Sequence, residues 1–82
     1  MSMMHVLIEV CFRHQMSPED ARGKSRKTEA VIARHEAMYL MRQMTWEDGT
    51  PRYSLPQIGK FFGVDHSTVM NGIRRHKERN NL

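Results

Sequence analysis

The sequence predicts an all-α fold: a small helical domain of four to five helices with a helix-turn-helix towards its C-terminal end. Three observations carry this prediction. Apolar residues recur at spacings of three and four rather than two. Serine or aspartate stands just before the apolar segments at Ser17, Ser54 and Asp65, where helix N-caps belong. Gly63 then separates two such segments by the short turn that lets consecutive helices cross. With 82 residues the chain is expected to form a single domain, 1–82.

Taken in order, Met3, Val6, Leu7, Val10 and Cys11 lie on one helical face, and Arg13 to Gln15 close that segment. Ser17-Pro18-Glu19-Asp20 is a second start: a cap, a proline suited to the first turn, and acids at the positive helix end. Gly23 breaks it. Between Arg22 and Lys27 stand four basic residues and no acid, so 22–28 is expected to be an exposed basic linker. The next helix is expected from Thr28 or Glu29 to Met44, burying Ala30, Ala33, Ala37, Leu40, Met41 and Met44. Asp48-Gly49 signals a tight turn, and Pro51 weakens any strand beside it. The segment from Trp46 to Tyr53 is therefore expected to be an ordered, hairpin-like loop packed on the core through Trp46 and Tyr53, with Arg52 beside phosphate as the alternative. Ser54 and Gln57 form a capping box for a helix bearing Ile58, Phe61 and Phe62. Gly59 is the small residue that permits a close crossing, and Val64 plugs the turn. Asp65 caps a last helix reaching about Arg79, with Val69, Met70 and Ile73 on its inner face. The helix-turn-helix thus spans 54–79.

The chain carries 13 Lys+Arg against 9 Asp+Glu, a net charge of +4. A small basic domain suits a polyanion, most often nucleic acid. Val6-Leu7-Ile8, interrupted by Glu9, is too short for a membrane span or a secretory leader. Cys11 is the single cysteine, which forbids an intrachain disulfide and suits a reducing cytoplasm; an inert buried thiol is expected. The five histidines include no His-Glu-x-x-His pair, and one cysteine does not build a zinc site. His35-Glu36 is expected to be an exposed pair. No catalytic constellation emerges, so neither an enzyme, a metal nor a cofactor is expected. The eight methionines are adaptable core filling, with Met3, Met4 and Met16 as an alternative partner surface.

In a helix-turn-helix the first residues of the second helix meet base edges in the major groove. Here these are Asp65, His66, Ser67 and Thr68. Aspartate accepts from cytosine N4, serine and threonine donate or accept, and the threonine methyl meets a thymine methyl. Capping alone accounts for Asp65 and Ser67 but does not require His66 or Thr68. Arg74, Arg75, Lys77 and Arg79 follow on the same helix, either as phosphate contacts or as a solvated face that complements the helix dipole.

At this point a resemblance becomes specific. Ser54-Leu55-Pro56-Gln57-Ile58-Gly59, then Phe62-Gly63, then Asp65-His66-Ser67-Thr68-Val69 resembles the DNA-binding domain of the bacterial replication initiator DnaA. Ala37-Met38-Tyr39-Leu40 and Thr45 resemble the helix that precedes it, and the likeness runs from about Val6 to Lys77. The resemblance implies that Asp65, His66, Ser67 and Thr68 read the major groove. It implies further that Leu55 and Pro56 approach the DNA, that Arg26 enters the minor groove from the basic linker, and that Lys24 and Arg34 meet the backbone. Lys27, Arg74, Arg75 and Lys77 complete the expected phosphate contacts. Three departures accompany it. Trp46 to Tyr53 lengthens the connection before Ser54, Gly63-Val64-Asp65 is one residue shorter than the family turn, and no Gly-rich Lys-Ser/Thr loop is present to hold ATP.

The expected function is sequence-specific binding of double-stranded DNA at DnaA-box-like sites. Such a protein would regulate transcription or replication without ATPase activity, in a bacterial or phage-encoded setting, cytoplasmic and nucleoid-associated. The alternative is a protein-interaction adaptor on the same scaffold. Whether the chain acts alone, as a homodimer or with a protein partner stays open.

Overall fold

A computed structural model describes residues 2–23 and 25–82. The described residues form five α-helices and no strand longer than a single bridge: α1 (Met3–His14), α2 (Pro18–Arg22), α3 (Thr28–Gln43), α4 (Leu55–Phe62) and α5 (His66–Asn80). Each expected cap is in place. The Ser17 hydroxyl accepts from Asp20 N–H, and Asp65 Oδ1 accepts from Thr68 N–H at 2.9 Å. Ser54 and Gln57 cap reciprocally, Ser54 N–H donating to Gln57 Oε1 at 2.7 Å and Gln57 N–H to Ser54 Oγ at 3.2 Å.

Helix α3 lies at the centre and packs against all four others. Its buried residues are Ala30, Ala33, Ala37, Met38 and Met41. Val6, Leu7, Val10 and Cys11 of α1, Ala21 of α2, Ile58 and Phe62 of α4, and Val69 of α5 complete the core around it. The expected stripe was one residue out of phase in part: Met38 is buried, whereas Leu40 and Met44 are half-buried at the core's edge. On α5 the difference is larger. Met70 is 54% exposed, and the inner face is Val69, Gly72, Ile73 and His76. A stripe at 69, 72–73 and 76 advances by three and four, which leaves residue 70 about 100° round the helix from Val69.

Two glycines set the close approaches. A Cβ on Gly59 would lie 2.5 Å from the Val64 carbonyl oxygen, so α4 and the following turn touch backbone to backbone. A Cβ on Gly72 would lie 2.7 Å from Met38 Sδ and 2.9 Å from His35 Cδ2, which marks where α5 crosses α3. Gly63, at φ +72°, ends α4 in the left-handed region, and Val64 N–H returns to the Gly59 carbonyl at 2.9 Å.

The connection from α3 to α4 is hairpin-like. Thr45 and Pro51 form an antiparallel bridge, Trp46 N–H donates to Thr50 O at 2.9 Å, and Gly49 turns at φ +88°. Tyr53 is half-buried against the core, as expected. Trp46 is not part of the core: it is 54% exposed, with the Arg52 guanidinium 4.5 Å over its ring. A bridge one residue pair wide has too little depth to bury an indole.

Helix α1 buries the expected face, Val6, Leu7, Val10 and Cys11. Met3 and Met16 pack at the core's edge, but Met4, Ile8 and Phe12 face outward at four-residue spacing, Phe12 being 84% exposed. Cys11 is buried; burial, and secondarily the Asp20 charge, pushes its thiol up. No helix among the described residues is long and apolar enough to cross a membrane.

Candidate nucleic-acid interface

The turn between α4 and α5 presents the start of α5 as a polar edge: Asp65, His66, Ser67 and Thr68 are all exposed. Asp65 is occupied as a cap. Its carboxylate accepts from Thr68 N–H and, at 3.0 Å, from the Thr68 hydroxyl, and these bonds hold it below the usual carboxylate range. Reading a base with Asp65 or with the Thr68 hydroxyl therefore means sharing or exchanging these bonds. His66 lies outside them, exposed at the first position of the helix.

The basic linker comes to the same edge. Arg26 and Thr68 line one groove of about 600 Å³, together with Arg34, Phe62, Gly63 and Val64. Residues 42 apart in sequence are thus placed on a single surface. Arg34, expected at the phosphate backbone, is occupied otherwise. Its Nε donates to Ala21 O at 2.8 Å, and its Nη2 donates to Gly23 O at 2.6 Å and to Ser25 O at 3.1 Å. Arg34 thereby ties the linker to α3 and supports Arg26 rather than replacing it. Arg22 fastens the other side, donating from Nε to Phe61 O at 3.0 Å with its guanidinium 4.1 Å over the Phe61 ring.

The remaining expected residues fall into two groups. Leu55 is half-buried and lines a groove of about 330 Å³ with Arg42, Met70, Ile73, Arg74 and Lys77; Pro56, next in the chain, is exposed. Arg74 and Arg75 also line a cleft between α3 and α5 that Thr68 shares. Cations therefore flank α5 on both sides. Lys27 lines an adjoining recess with Met16, Asp20, Ser25, Glu29 and Ala30, and Ser25 is shared with the Arg26 groove. Lys24 lies outside the described residues.

Arg42 is not among the residues the sequence singles out, and His35 is singled out there only as half of an exposed pair. Arg42 borders the Leu55 groove and donates from Nη1 to Tyr53 O at 2.8 Å. A cation in the last turn of a helix reads as a dipole partner, so nothing local marked it. His35 and Glu36 are not an exposed pair. Glu36 turns to α1, where Arg13 and His14 hold it, the latter at 3.0 Å. Burial alone would raise its carboxyl, but the His14 bond and the Arg13 charge outweigh it and hold the value low. His35 turns to α5. Burial first, then Arg79, Arg34, Arg75 and His76, push its ring down to about 4.

This last shift has a consequence for stability. An unfolded histidine takes up its proton near pH 6.5, whereas folded His35 does so only near 4. The unfolded state therefore binds more protons between these values. Stability is full above about pH 6.5 and falls as pH drops towards 4. His76, lowered by burial, adds to the same window. Thermal melts at about pH 7 and pH 5 are expected to show a smaller acid loss in His35→Gln than in the parent protein; equal losses would contradict the assignment.

Comparison with known proteins shows one family across most of the chain. The family described as bacterial DnaA protein helix-turn-helix matches residues 3–75. The chromosomal replication initiator protein DnaA of Deinococcus deserti is 44% identical over 77 residues, covering 94% of this chain and 16% of the initiator. DnaA of Thermus thermophilus is 38% identical over 76 residues, 92% of this chain and 16% of the initiator. DnaA of Tropheryma whipplei is 40% identical over 70 residues, 84% of this chain and 13% of the initiator. The chain thus spans about one sixth of the length of such relatives.

Proposed function

This chain belongs to the bacterial DnaA helix-turn-helix family, and from that premise we propose that it binds double-stranded DNA sequence-specifically through α5. The observation that carries the proposal is the shared groove of Arg26 and Thr68. One surface offers polar side chains to base edges and, beside them, an arginine on a linker that suits a narrow minor groove. Arg74, Arg75 and Lys77 then hold phosphates on either side of α5. The binding uses no nucleotide and no catalysis. A protein of this kind occupies DnaA-box-like sites as a regulator of transcription or replication, on the nucleoid of a bacterial cytoplasm.

Selection from a random duplex library tests the reading. Enrichment of a DnaA-box-like sequence is expected, and no enrichment would sink it. Salt dependence gives a second readout. If Arg74, Arg75 and Lys77 each neutralise one phosphate, affinity falls roughly 40-fold between 50 and 200 mM salt. Lys77→Ala is then expected to weaken all sequences alike and to reduce the salt slope by about one; an unchanged slope would remove Lys77 from the interface. The rival reading, a protein-interaction adaptor, draws on the outward face of Met4, Ile8 and Phe12 and predicts that neither test responds.

A further inference from the structure

A cleft of about 360 Å³ opens between α3 and α5, with Val31 and His35 on one wall and Thr68, Asn71, Arg75 and Arg79 on the other. Val31 and Thr68 also line the Arg26 groove, so the cleft continues that groove along α5. Gly72 lets the His35 ring lie against α5: a Cβ there would be 2.9 Å from His35 Cδ2. Arg79 Nη1 lies 3.2 Å from His35 Nδ1. A guanidinium only donates, so Nδ1 is the acceptor and the proton of the neutral ring belongs on Nε2. The groups that bear on His35 are all basic: the guanidiniums of Arg75 and Arg79 from α5 and of Arg34 from α3 itself, with the His76 ring, itself lowered by burial, beside them. Glu36, its neighbour in sequence, faces α1 and is held there by Arg13 and His14. A neutral donor ringed by cations is a seat for an anion.

We propose that this cleft makes DNA binding proton-linked: a backbone phosphate seated there accepts from His35, and Arg79 is the residue that positions His35. The proposal rests on the DNA-binding reading above and adds a regulated contact to it. Before DNA arrives, burial and the surrounding cations keep the ring neutral, with its value at about 4. A seated phosphate cancels that repulsion and draws the Arg79 guanidinium off Nδ1, so the ring returns towards its ordinary range and binding takes up a proton on Nδ1. Affinity then rises as pH falls between the bound and free values, the sign being set by the extra proton in the complex. Arg79 acts through His35: it fixes the tautomer and supplies the largest of the charges that keep the free ring neutral.

The test is the affinity of the intact chain for a labelled duplex at about pH 8 and pH 5, with the His35 ring nitrogens followed by NMR in free and bound protein. Tightening by on the order of tenfold is expected at the lower pH. His66→Gln, which silences the histidine at the base-reading edge, is expected to keep this tightening. His35→Gln is expected to lose it, and Arg79→Gln to diminish it by raising the free value. The free ring is expected as the Nε2–H tautomer, titrating at higher pH once the duplex is bound. Duplex binding with an unmoved His35 titration, or tightening that survives His35→Gln, overturns the proposal while leaving the DNA reading intact. Absence of duplex binding at every pH overturns both.

Discussion

Gly59→Ala is expected to lower the melting temperature by about 10 °C. The new Cβ would sit 2.5 Å from the Val64 carbonyl oxygen and 3.3 Å from the Asp65 carbonyl carbon. Both are backbone atoms of the turn, so no rotamer change relieves the contact. Alanine in place of glycine inside a helix gains about 1 kcal/mol of helix propensity. Forcing a methyl into a closed backbone contact costs more: overpacking runs to about 3 kcal/mol, and here the turn itself must move. The net loss is put at about 2 kcal/mol, and each kcal/mol shifts the melting temperature of a domain this size by roughly 4–8 °C. The damage is also directional. Val64 and Asp65 set the start of α5, so the same substitution is expected to weaken DNA binding under conditions where the variant is still folded. Calorimetry checks the first effect; a variant melting at or above the parent would contradict the close approach.

The second large effect separates reading from capping. His66→Ala is expected to cost about 1–3 kcal/mol of affinity on the preferred duplex and to relax the choice of base at one position. The His66 side chain is exposed, and exposed substitutions away from caps and cores change stability by about 0.5 kcal/mol or less. Affinity and stability therefore part company at this residue. Thr68→Ala is expected to lose similar affinity. It removes the hydroxyl bonded to Asp65 but keeps the Thr68 N–H that satisfies the cap. Asp65→Ala is the contrasting case: it removes the cap, at about 1 kcal/mol, and so moves stability as well as binding. Parallel measurement of duplex affinity and thermal stability distinguishes these. If His66→Ala and Thr68→Ala leave affinity unchanged, the edge serves only as a helix start.

Much of this fold was legible because its signals are local. Ser17, Ser54 with Gln57, and Asp65 each satisfy N–H groups within three residues. Gly63 answers a backbone conformation that only its own position demands. Legibility failed where a residue's role is set by a distant partner. Met70 and Gly72 exchange roles according to which side of α5 meets α3, and a short apolar stripe fixes that phase only to within a residue. The resemblance implies a phosphate contact for Arg34, and no local signal announces that three carbonyls of the α2 end and the linker also converge on its guanidinium. His35 and Arg79 are 44 residues apart, and no spacing rule joins them. For the candidate site, the polar edge at the start of α5 could be read from residue types alone. The groove it shares with Arg26 required the fold.

DNA is expected to meet the edge formed by the start of α5 and Arg26. Amide chemical shifts followed while a duplex is added test it most directly. His66, Ser67, Thr68 and Arg26 are expected to show the largest perturbations, with Arg75 and Lys77 moving less, while Ile8 and Phe12 on the outward face of α1 stay in place. Perturbations confined to α1, or a duplex titration that moves nothing at the α5 edge, would contradict it.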